Sequence, residues 1–120
     1  MRMWKVDPTL LCNKHLVGEH FEMHMFYGCL EKGKSLRGYV SRGLVELDYI
    51  PERHDILADE MLRRGMKHRS EMLGVIAIGD YGFVDTEENL TELSKRCSKC
   101  REKIRETYGN TYIPKQKKER

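Results

Sequence analysis

The chain has 120 residues, 34% of them charged, with a formal net charge of +3 and a pI near 8.7. That length fits one domain, able to bury roughly two-thirds of the surface its unfolded chain exposes. No apolar run approaches the ~20 residues of a membrane span, and the opening MRMWKV is no signal peptide. The expectation is a soluble, intracellular protein of the cytoplasm (host cytoplasm if the source is viral), whose four cysteines are thiols or metal ligands rather than disulfides.

Residues 1–6 read as extended and lead straight into a first helix, which brings the α-amine of Met1 close to it. That helix is expected from Asp7 to about Lys32. Asp7 can cap it, and Pro8 takes the first helical position, where a missing N–H costs nothing. Leu11, Leu16, Phe21, Met25 and Leu30 recur close to helical spacing. A second stripe, Cys12, His15, Glu19, Glu22 and Phe26, steps by three or four residues and shares one face. Glycines at 33, 38 and 43 then mark turns, with Leu44 to Ile50 a short extended piece and no sheet expected.

A second helix is expected from Pro51 to about Gly65, with Ile56, Leu57, Glu60, Met61 and Leu62 on a partly apolar face. Met66 to Gly82 reads as a loop holding one strand-like run, Val75 to Ile78. The third helix is expected from about Thr86 to Tyr108, capped by Asp85 or Thr86. Its buried stripe is Leu90, Leu93, Cys97, Cys100, Ile104 and Tyr108, and a basic tail follows over 114–120. The fold class is therefore all-α: one compact three-helix domain, 1–120, with irregular connecting loops.

Basic residues gather at Arg2 and Lys5, at Arg63, Arg64, Lys67, His68 and Arg69, and at Lys115, Lys117, Lys118 and Arg120, while acidic residues dominate from Asp80 to Glu92. Such asymmetry suits an anionic partner such as DNA, although a solvated surface with a frayed tail has the same signature. His20-Phe21-Glu22-Met23-His24 resembles a helical zinc-hydrolase motif. Its glutamate lies midway between the histidines, about 200° around the helix from both, so it points away from any metal they hold. His20 and His24 are accordingly read as surface or DNA-facing. Cys12 and His15, with Cys97 and Cys100, form an alternative Cys3His set for a structural zinc, each pair at i and i+3 inside a helix. The bland reading of those cysteines is two small buried groups. A third chemistry is nucleophilic attack by the α-amine, whose ordinary pKa of about 7.7–8 leaves a sizeable neutral fraction near pH 7. Glu22 is the carboxylate placed to serve it.

The run MRMWKVDPTLLCNKHLVGEHFEMH, with His15, Leu16, Glu19 and Glu22 in H-L-x-x-E-x-x-E, resembles the pyrimidine-dimer DNA glycosylases of the phage endonuclease V type. RHDILADEMLRRGMKHRS and the tyrosine-rich end are similar too. The resemblance implies a helical single-domain enzyme that excises cyclobutane pyrimidine dimers from double-stranded DNA and nicks the strand by β-elimination. It needs no cofactor and acts as a monomer with no membrane partner. It implies Met1 as nucleophile through its α-amine, Glu22 as catalytic carboxylate, and His15 and Glu19 in support. Arg2 is implied as a phosphate or lesion contact. Two arginines of the best-known member's catalytic helix fall on Phe21 and Met25, so the remaining grip on DNA is expected from His20, His24, Arg53, Arg63, Arg64, Lys67, Arg69, Lys115 and Lys117. A non-catalytic DNA-binding module with a structural zinc, or an AP lyase of other lesion preference, is the alternative.

Overall fold

The computed structural model describes residues 1–68, 71–72 and 82–114, which are helical with no strand among them. A 3-10 turn at Pro8–Leu10 precedes α1 (Asn13–Glu31) and the short α2 (Arg37–Ser41). A second 3-10 turn, Leu47–Tyr49, runs into α3 (Ile50–Arg63), and α4 (Thr86–Arg96) and α5 (Ser98–Tyr108) complete the order. The all-α expectation holds, but five α-helices stand where three were expected. The strand-like Val75 to Ile78, most of the loop around it and the tail from Lys115 onward lie outside the described residues.

Two of the expected helices are broken, each at a cysteine. Asp7 does cap, accepting the Thr9 N–H at 3.0 Å, but the helix it caps is the 3-10 turn; the chain is extended at Leu11 and Cys12 before α1 starts. Cys97 ends α4 through its N–H to Leu93 O and starts α5 by accepting the Cys100 N–H on its sulfur. Asp85 caps α4 as expected, with the Glu87 and Glu88 N–H groups at 3.0 and 3.1 Å. The expected extended piece at Leu44 to Ile50 is partly the second 3-10 turn.

The expected apolar stripe of α1 is buried only in part, since Leu16 is in the core but the next two members are not. Phe21 and Met25 are 61% and 44% exposed, whereas Leu16, Glu19, His20, Met23 and Phe26 are buried. Phe26 fixes that orientation by meeting Tyr39 of α2 edge-on, ring centroids 5.2 Å apart. The core runs from Met3, Trp4 and Val6 through Leu10, Leu11 and Leu16 to Ile50, Leu57, Leu93 and Ile104.

α1 packs against α3, and the junction is polar. The Arg53 guanidinium grips Glu19 with both arms, Nε to Oε2 at 2.7 Å and Nη2 to Oε1 at 3.0 Å, with both side chains almost wholly buried. At the far end of α3, Glu60 orients Arg64, whose guanidinium reaches back to Pro8 O, Leu11 O and Asn13 Oδ1. A cation at the end of α3 thus ties down the carbonyls where the chain enters α1. The extended start is pinned on several sides. Met3 N–H donates to Leu44 O at 2.7 Å, Asn89 Nδ2 donates to Trp4 O at 2.7 Å, and Lys5 Nζ pairs with Glu46 at 2.9 Å. Lys5 itself sits at φ +58, a left-handed bend rarely taken by a residue with a side chain. Gly82 takes up φ +84 beside Val45 O, where a Cβ would come within 2.5 Å.

Two outcomes follow. Arg53→Ala strands a buried carboxylate and is expected to cost about 3–5 kcal/mol in chemical denaturation, whereas replacing Glu19 and Arg53 together by packed apolar residues costs far less. Glu60 gives an acid-sensitive contribution. The hydrogen bond from Arg63 and, against the opposing effect of burial, that from Arg64 hold its pKa down at about 2. Because the folded pKa is depressed, the contribution is complete above about 4.5 and is lost as pH falls toward 2. Glu60→Gln should remove about 1 kcal/mol at neutral pH and make unfolding less steeply pH-dependent in that window, as followed by circular dichroism.

Candidate functional site

The extended start lies along the inner edge of α1, and two carboxylates one helical turn apart receive it. Glu22 Oε1 accepts the Arg2 N–H at 2.8 Å, and Glu19 Oε2 lies 3.4 Å from the Lys5 N–H. Glu22 is half-buried, and Met1 is half-buried with its side chain against the core. The α-amine is thus one peptide bond from a nitrogen that the Glu22 carboxylate already holds. The Arg2 guanidinium lies over the Trp4 ring, 4.5 Å from its centroid, with Arg96 near the same ring at 5.9 Å. Burial, and then the charge of Arg96, lowers the Arg2 pKa. Its Nη1 is buried with no hydrogen-bond partner among the described residues. Arg2 lines a cleft of mixed charge, about 440 Å³, with Arg42, Phe83, Asp85, Glu88 and Glu92, and Phe83 is 72% exposed.

The other expected DNA contacts scatter. Arg63 and Lys67 are exposed, with Arg63 drawn onto Glu60. Arg64 is occupied by the carbonyls before α1, and Arg53 is buried against Glu19, so neither is a free surface cation. The structural reason in both cases is a nearby acid or carbonyl that needs the guanidinium. Arg69, Lys115 and Lys117 lie outside the described residues. A basic rim that sequence reasoning did not single out, Lys14, Arg96, Lys99 and Lys103, surrounds a cleft of about 700 Å³. Its members come from three helices and only the fold gathers them.

That cleft is floored by Cys12, His15, Cys97 and Cys100, whose ligand atoms lie within 4.8 Å of one another. Each pair occupies the N-cap and third position of a helix, Cys12 with His15 on α1 and Cys97 with Cys100 on α5, rather than the helix interior that was expected. Cys12 Sγ is 3.3 Å from His15 Nδ1 and 3.8 Å from Cys97 Sγ. A tetrahedral zinc with sulfur at about 2.3 Å separates its sulfurs by about 3.8 Å. Backbone N–H groups also converge on the sulfurs, Cys12 N–H on Cys100 Sγ at 3.3 Å and Cys100 N–H on Cys97 Sγ at 3.4 Å. Burial pushes the Cys97 thiol up, but the hydrogen bonds from Cys100, Cys12 and Lys99 outweigh it and hold it below its ordinary value. Burial drives Cys100 the other way, to about 12. Burial and then Lys14 lower His15, which favours the neutral imidazole a metal requires.

His20 and His24 do not face DNA-side solvent. His20 is buried and His24 half-buried; both meet His54 of α3, and His20 and His54 also meet His68 beyond it. The four ligand nitrogens again lie within 4.8 Å of one another. Burial first, then His54, His24 and His68, push His20 down to about 4. Burial, then His54 and His68, lower His24 as well. The i, i+4 spacing of His20 and His24 was visible in the sequence; that His54 and His68 complete the group was not.

A family model described as pyrimidine dimer DNA glycosylase matches residues 1–73, a stretch that holds Met1, Glu19, Glu22 and all four of these histidines. No curated protein and no solved structure matches the chain. With more than half of its length matched, and with an all-α fold that brings Arg2 and Glu22 together, the chain belongs to the pyrimidine dimer DNA glycosylase family.

Proposed function

We propose that this protein is a bifunctional DNA N-glycosylase and AP lyase that acts, as a cytoplasmic monomer, on cyclobutane pyrimidine dimers in double-stranded DNA. The observation that carries the reading is the 2.8 Å bond from Arg2 N–H to Glu22, which ties the first peptide to a carboxylate. The α-amine of Met1 is the nucleophile. Its neutral form attacks C1′ of the damaged nucleotide, and the glycosidic C1′–N bond breaks with its electron pair leaving on the base. The sugar ring opens to a Schiff base, which acidifies the proton on C2′. Glu22 takes that proton, the C3′–O bond breaks, and the electron pair leaves with the 3′ phosphate. Between these events the Glu22 carboxylate offsets positive charge on the iminium nitrogen.

Glu19 supports this indirectly, holding the Lys5 N–H while it is neutralised by Arg53. Arg2, half-buried at the edge of its cleft, offers its guanidinium charge to a phosphate. Phe21 and Met25 stand exposed on the outer side of the helix that carries Glu22, and Phe83 beside the Arg2 cleft. Apolar side chains so placed can wedge into a stack, at least cost where a dimer has already weakened it. The Cys12, His15, Cys97 and Cys100 set favours a structural zinc in addition, tying the start of α1 to the junction of α4 and α5. His15 is then a ligand rather than a helper of Glu22.

Glu22→Gln keeps an acceptor for the Arg2 N–H and removes the base. Strand nicking and borohydride trapping on dimer-containing duplexes should fall about 100-fold or more, with binding by gel shift little changed; undiminished trapping would remove Glu22 from the mechanism. Cys97→Ser should remove one equivalent of zinc from the purified protein, read by elemental analysis, and lower its melting temperature.

A further inference from the structure

We propose that His20, His24, His54 and His68 form a second metal centre, a closed all-imidazole site for a divalent ion of the zinc class. Three observations point there. His54 Nε2 and His68 Nε2 face each other at 3.3 Å. Ligands at about 2.0–2.1 Å from a tetrahedral ion stand about 3.3–3.4 Å apart. The other ring nitrogen of His54, Nδ1, is 2.9 Å from Asp55 Oδ1. A proton on Nδ1 donated to that carboxylate leaves Nε2 as a lone pair aimed into the cluster, the arrangement of a metal-bound histidine backed by an acid. His20 is only 7% exposed, and its Nε2 is buried with no hydrogen-bond partner among the described residues. A buried imidazole nitrogen without a partner is costly, and a metal bond is what would satisfy it here.

The ring packing is compatible: the rings lie edge-on or tilted with centroids 4.6–5.1 Å apart, and one nitrogen of each lies within 4.8 Å of the others. A cleft of about 380 Å³ lined by His54, Asp55, His68 and Glu71 gives an ion a way in. Four nitrogen donors select zinc or cobalt over magnesium or calcium, and four protein ligands leave no open position, so the role is structural. The site joins α1 to α3 and to the segment beyond it, one residue along each helix from the Glu19–Arg53 pair. The ion thereby holds the helix that carries Glu22 in register with α3. The proposal is independent of the amine mechanism.

The test is cobalt(II) titration of the full-length protein after chelation and reduction. Two equivalents should bind. One, at the cysteines, brings a thiolate-to-cobalt charge-transfer band; the other adds only visible d–d absorption and raises the melting temperature. His24→Gln/His68→Gln alters the two half-buried ligands and should lose the equivalent without charge transfer, while Cys97→Ser loses only the other. A wild-type chain that takes up nothing beyond the thiolate equivalent would overturn the proposal, and so would a double histidine variant that retains both. Should the histidine variant not fold, the wild-type titration decides alone. A single equivalent without a thiolate band would uphold the histidine site and reject the cysteine one.

Discussion

The buried Glu19–Arg53 pair is the constraint from which the arrangement of the functional half follows. Neither charge can be left alone in an interior, where removing one partner is far worse than removing both. The two-armed contact therefore fixes α1 against α3 in rotation and in height, because a fork meets a carboxylate well in one geometry only. Once that register is set, residues 20 and 54 must face each other, and the histidine cluster is its neighbour. The same carboxylate faces the Lys5 N–H, so the extended start is laid along the same edge, and Glu22 one turn on meets Arg2.

Much of this was legible in the residues, and what was not has identifiable causes. The stripe Cys12, His15, Glu19, Glu22 and Phe26 was visible as one face because helical spacing is local. What was misjudged is the neighbouring stripe at Phe21 and Met25, which looked like core because a thioether or a phenyl ring is far more apolar than a carboxylate. Only a partner on another helix, Arg53, makes Glu19 cheaper to bury than Phe21, and a partner 34 positions away leaves no periodic trace. The breaks at Cys12 and Cys97 escaped notice for a related reason. Neither site has a proline or glycine, and the cysteine sulfur of Cys97, an uncommon cap, accepts the N–H that a serine or aspartate would take elsewhere. His20 and His24 were read as exposed since their partners, His54 and His68, stand on other segments of the chain.

The family match ends at residue 73, and the division is physically meaningful. The two carboxylates that meet the start of the chain, Glu19 and Glu22, lie inside it, as do Arg53 and the four clustered histidines. The later part contributes Asn89, which holds the Trp4 carbonyl, Val84, whose N–H meets Glu46, and the two cysteines of α4 and α5 that face Cys12 and His15. The second part thus acts as a brace on the first. It grips the start of the chain at Trp4 and the entrance of α1 at Cys12, the two ends of the segment that leads into α1.

On the proposed mechanism, that bracing bears on how an amine at the start of the chain can be a precise nucleophile. Terminal residues are ordinarily the least ordered part of a domain, since nothing beyond them resists fraying. Here four successive residues carry separate ties: Arg2 to Glu22, Met3 to Leu44, Trp4 to Asn89 and Lys5 to Glu46. The ordering entropy of those residues, about 1–2 kcal/mol each for the backbone, is met in the folded protein before any DNA arrives. Attack then needs no further loss of freedom in the nucleophile, which is where positioned groups gain most over free ones. The polar interior of α1 and the left-handed bend at Lys5 are therefore of one piece with the proposed chemistry: they cost stability locally, and on that mechanism what they secure is a fixed starting point for the α-amine.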